Sequence, residues 1–104
     1  LDLDLPDSMI VTFRCYSRKQ CEKLRAIHRL LNVAKYLNRD WKPDFSNLNE
    51  YKYYIKLEEN NKIDFDFHSC YNRSIIYFKT EELAQQAIEI LGEDTIKLAL
   101  TTDY

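Results

Sequence analysis

The chain has 104 residues, 45% of them apolar and 13% aromatic, and a formal charge of −2 at pH 7. That length fits one domain with one core, and that apolar share excludes a chain disordered by composition. A single glycine argues against glycine-rich phosphate loops, and no apolar run approaches the ~20 residues that a membrane span needs.

The charge is unevenly placed. Residues 14–42 carry nine basic and two acidic side chains, a local charge of +7; residues 1–13 carry −3 and residues 43–104 carry −6. Such asymmetry suits an anionic partner, a solvated basic face, or a basic helix set against an acidic sheet. Between two copies of the chain, the last arrangement would give a homodimer. Cys15, Cys21 and Cys70 are odd in number and include no CxxC pair, so we expect free thiols. The opening "LDLDLPDS" is acidic and lacks the basic-then-apolar pattern of a secretory signal. Together these point to a reducing cytoplasm.

In chain order, "MIVTFRCY" (residues 9–16) alternates β-forming side chains and predicts a strand. Ser17 with Gln20 fits a helix-capping box. From there Cys21, Leu24, Ile27, His28, Leu31, Ala34 and Leu37 recur at helical spacing, widened by Leu30 and Val33, and predict a helix from Ser17 to Asn38. Pro43 then prevents continuation. The stretch "LNRDWKPDFSN" holds the only tryptophan. Trp41 and Phe45 flank Pro43, and Asp44 to Asn47 offer turn-forming side chains. We read it as a structural corner in which Trp41 folds back onto the helix–sheet junction.

"EYKYYIKLEENNKIDFDFH" reads as a β-hairpin. A two-residue turn at Asn60-Asn61 would oppose Leu57 to Asp64. A loop of Glu59, Asn60 and Asn61 opposes Leu57 to Ile63, Ile55 to Phe65 and Lys56 to Asp64. The buried face sets register, so the longer loop is preferred, with Asn61 in the left-handed position. "SIIYFK" (residues 74–79) predicts a third strand. Thr80 caps a helix whose inner stripe is Ala84, Ala87, Ile88 and Leu91, and Gly92 ends it before a short helix over "EDTIKLAL". The expected architecture is a single α+β domain, residues 1–104. A small antiparallel sheet, a three-stranded meander plus the N-terminal strand, is covered on one face by a long helix and a C-terminal helix pair.

Asp64, Asp66 and His68 share one face of a strand and could hold a divalent cation, but the register already offers Lys56 to Asp64. His28 reads as a packing residue. No nucleophile–base pair, P-loop, dinucleotide fingerprint or zinc knuckle stands out, so we expect no enzyme, cofactor or metal. The candidate binding surface is basic: Arg14, Arg18, Lys19, Lys23, Arg25, Arg29 and Lys35. Tyr16, Tyr54 and Tyr71 are candidate exposed aromatics beside it. Such a surface suits single-stranded nucleic acid or a small anionic, nucleotide-like ligand, although Asp64 and Asp66 would repel phosphates.

Leu37, Asn38, Trp41, Pro43, Asp44, Asn47, Lys52, Tyr53 and Tyr54, with the segment Phe78 to Ala84, resemble a group of small phage and prophage proteins of gut bacteria. That group shows a helix ending in Leu-Asn, a Gly-Trp-x-Pro-Asp-Trp segment, a Lys-Tyr-Tyr strand and a later "FKSEELA"-like helix start. The likeness covers roughly residues 29–100. Asp40 stands where the group has Gly, and Phe45 where it has a second Trp. The group carries no activity to transfer. The resemblance implies a phage accessory protein that binds a host protein, with anti-defence action as its most concrete form.

Overall fold

The computed structural model describes residues 17–69 and 74–103. The strand expected over residues 9–16 lies outside them, as do Arg14, Tyr16 and Tyr71. Helix α1 spans Arg18–Asn38, strand β1 Lys52–Leu57, strand β2 Ile63–His68, helix α2 Glu81–Leu91 and helix α3 Glu93–Leu100. No helix among the described residues is long and apolar enough to cross a membrane.

The helix ends fall where their capping residues place them. Ser17 Oγ accepts from the Gln20 N–H at 3.3 Å, and Thr80 Oγ1 accepts from the Leu83 N–H at 3.2 Å. Glu81 and Glu82 sit in the first turn of α2, where the helix dipole favours them. Gly92, at φ 87°, both ends α2 and starts α3, a conformation that a side chain would strain.

Antiparallel β1 and β2 pair Leu57 with Ile63, Ile55 with Phe65 and Lys56 with Asp64, the expected register. Asn61 takes φ 65°, as the loop requires. The Glu58 N–H donates to the Lys62 carbonyl at 2.8 Å and closes the hairpin.

The core joins Ala26, Leu30, Val33 and Ala34 of α1 with Ile55, Phe78, the α2 stripe, Ile96 and Ala99. Alanines at five of these positions let α1 lie close across α2 and α3. The buried stripe of α1 keeps Leu30, Val33 and Ala34 of the expected face, with Ile27 and Leu37 packed beside them, but turns away from Leu24 and Leu31. Leu24 and Leu31 are about 40% exposed, while Ala26, outside the expected face, is buried. This helix carries apolar residues on more than one side, and the small ones face the neighbouring helices.

The third strand is corrected too. Of residues 74–79 only Phe78 bridges the sheet, exchanging hydrogen bonds with Tyr53 at 3.1 and 2.7 Å. The flanking backbone groups are taken by Asn38, whose Nδ2 donates to the Tyr77 carbonyl at 2.7 Å and whose Oδ1 accepts from the Lys79 N–H at 3.1 Å. The segment is held as a strand would be, with one side chain replacing a neighbouring strand. The sheet of the described residues is therefore two-stranded, and it is covered on both faces: Ile55 meets the helices, while Lys52 and Tyr54 are buried on the other side. Cys21 is half of a disulfide, contrary to the expectation of free thiols.

Asn38→Ala removes both bonds and leaves the Tyr77 carbonyl and the Lys79 amide without this partner. We expect a loss of about 2 kcal/mol in urea unfolding, with the helical circular-dichroism signal retained.

Candidate functional site

Much of the basic surface on α1 is already engaged. The Arg18 guanidinium meets Glu22 at 3.4 Å, and the Lys19 ammonium meets Asp103. Lys23 Nζ donates to the carbonyls of Leu98 and Ala99 at 3.2 and 3.1 Å, and to that of Thr101. It thus satisfies acceptors that the last turn of α3 leaves over. Partial burial lowers its pKa, against the opposing pull of Asp103. Arg25 and Arg29 border a groove between α1 and α3, and neither is without a partner. Lys35 is exposed near the C-terminal end of α1.

The corner after α1 is fastened by two side chains. Glu50 accepts from Trp41 Nε1 at 3.3 Å through one carboxylate oxygen and from the Asp44 N–H at 3.0 Å through the other. Lys52 is 0% exposed. Its ammonium donates to the carbonyls of Asn47 and Glu50 at 2.9 Å and of Ser69 at 2.8 Å. It also lies 5.3 Å from the centre of the Phe45 ring, which meets Tyr77 edge-on. Pro43 is exposed, and Trp41 is half-buried rather than deeply inserted.

Tyr54, expected at the surface, is buried against His68 and Tyr77. The aromatics at the surface are others. Tyr51 is 55% exposed and Phe67 50% exposed, their rings 5.0 Å apart. Beside them a groove of about 430 Å³ is walled by Trp41, Tyr51 and Tyr53, with Glu50, Glu81, Glu82 and Lys79 at its margin. A second groove, of about 570 Å³, runs from Phe65 past Glu82 and Gln86 to Glu89. The hairpin and α2 together present an aromatic and acidic surface. The −6 carried by residues 43–104 was the available signal for it, and the larger positive excess drew the reading elsewhere.

Asp64 and Asp66 act on the backbone. Among the described residues no group of three His, Cys, Asp or Glu could hold a metal ion. Each carboxylate instead accepts from the following N–H, Asp64 from Phe65 and Asp66 from Phe67, both at 2.8 Å. Those bonds are the main cause lowering both carboxyl pKa values, with a smaller contribution from the nearby Lys56. Lys56, expected opposite Asp64, reaches diagonally to Asp66 at 3.3 Å and along its strand to Glu58 at 3.5 Å.

Lys52→Met keeps the stem and removes the ammonium, leaving three carbonyls without that donor. We expect about 3 kcal/mol of destabilisation by denaturant titration. The aspartate caps are present at neutral pH and are lost as pH falls through their lowered folded-state values. The amide proton shifts of Phe65 and Phe67 should therefore titrate with midpoints below the ordinary 3.8, and the Phe67 response should vanish in Asp66→Asn.

Comparisons with protein-family models, with curated proteins and with solved structures find no match.

Proposed function

We propose that the chain is a non-enzymatic binding protein that acts on a host protein by direct contact, as a phage accessory factor whose most concrete role is anti-defence. The resemblance of "LNRDWKPDFSN" and the Lys52-Tyr53-Tyr54 segment to small phage proteins supports the setting. The observation that carries the binding reading is the exposed Tyr51–Phe67 pair beside Trp41, with Glu81 and Glu82 alongside. Exposed aromatics around a groove are the usual anchors of protein contacts. Nucleic acid and nucleotide-like ligands have less support, because Arg18, Lys19 and Lys23 are each engaged within the fold. A host cytoplasm remains part of the proposal. The Cys21 disulfide weighs against it, since cytosolic thiols are mostly reduced.

Affinity capture from host lysate, with and without reductant, tests this reading. The wild-type chain should retain a specific protein at physiological salt. Tyr51→Ala, a surface change, should weaken its retention by about thirtyfold, the effect of losing one aromatic anchor worth ~2 kcal/mol. Equal recovery by both chains, or recovery of no protein, would defeat the proposal.

A further inference from the structure

The hairpin register decides which backbone groups β2 leaves open. Glu58 and Lys62 form the hydrogen-bonded closing pair, so alternate pairs along the ladder turn inward. Ile63, Phe65 and Phe67 therefore direct their N–H and C=O groups away from β1. The same count predicts that Tyr53 faces outward from β1, and Tyr53 is the residue that bridges Phe78. Thus β1 is closed on its outer side at that bridge, whereas among the described residues no strand pairs with the outer edge of β2.

That edge is guarded by charge. The outward N–H groups of Phe65 and Phe67 are held by Asp64 and Asp66, the two carboxylates that precede them. On the helix side, the groove beside Phe65 is bordered by Glu82 and Glu89. A strand laid along this edge sends alternate side chains to its two faces, and both faces offer carboxylates. A second copy of β2 would bring its own Asp64 and Asp66 into that field and be repelled. A neutral strand would have to displace two charge-assisted bonds and would bring no cation in return, leaving Asp66 only the Lys56 ammonium it already meets.

We propose that the outer edge of β2 takes up an extended lysine- or arginine-bearing segment of a partner protein as an added strand. The incoming cations draw the carboxylates off the Phe65 and Phe67 amides, and those amides then bond the incoming carbonyls. This rests on the protein-binding reading above and specifies the partner's chemistry.

The test uses a fluorescent octapeptide of alternating lysine and threonine, its glutamate counterpart, and a copy of the lysine peptide N-methylated on the amides of one edge, both edges being tried. Anisotropy is read on the whole chain at about 150 mM salt. The lysine peptide should bind. Methylation of one edge should weaken it about tenfold or more, as loss of several hydrogen bonds requires. Asp64→Asn with Asp66→Asn should weaken it comparably, and the glutamate peptide should not bind. Phe67→Pro, at an outward-facing edge position, should abolish binding while the helical signal persists. Three results would overturn the inference: no binding of the lysine peptide, equal affinity with either edge methylated, or binding of the glutamate peptide. Absent peptide binding alongside Tyr51-dependent capture of a host protein would sink the strand-addition mode alone.

Discussion

A single ammonium group holds the corner of this fold in place. Lys52 starts β1, yet its Nζ reaches back to Asn47 and Glu50 and across to Ser69 beyond the end of β2. A fully buried lysine is costly unless every donor is used. Here three carbonyls and the Phe45 ring surround it, so the turn after Pro43 and the far end of the hairpin are fixed relative to each other. Glu50 depends on this arrangement as well. Held in the same corner, it carries Trp41 and the Asp44 amide, and so places the tryptophan at the margin of the aromatic groove.

The charge distribution acquires a different meaning once these contacts are known. On α1, Lys19 and Lys23 bind the C-terminal part of the chain, and Arg18 pairs within its own helix. On the hairpin and α2, carboxylates stand beside aromatic rings at the surface. The positive region serves internal assembly in large part, and the acidic region faces outward with the exposed aromatics. Formal charge counted along the sequence does not separate these two uses, because only pairing geometry does.

Local signals made several elements legible in the sequence. The Ser17 and Thr80 caps, the Gly92 break and the alternation of the hairpin each concern residues a few positions apart, and there the sequence reading agrees with the fold. Contacts between distant positions were not legible. The third strand lost its ladder to Asn38, which lies 41 residues away from Lys79 and pairs through a side chain. One side of the buried stripe of α1 was misplaced because Leu24 and Ala26 both fit a helical period, and the packing partners decide between them. Lys52 stands in an alternating strand. Nothing in its neighbours along the chain announces that three carbonyls wait for it. The outward aromatic face was hidden for a related reason: Tyr51, Tyr53 and Tyr54 look alike in sequence, and only Tyr54 is buried by its surroundings.

The lysines near the start of α1 also constrain when the chain can mature. Lys23 bonds carbonyls 75 to 78 residues downstream, and Lys19 meets an aspartate 84 residues downstream. On a ribosome, α1 emerges long before those acceptors exist. Its first turns must stay solvated, or occupied by something else, until Thr101 and Asp103 have cleared the exit tunnel. Closure of the domain then waits on the synthesis of α3 and the residues after it, and a nascent chain stalled before α3 would display cationic side chains that the finished molecule keeps engaged.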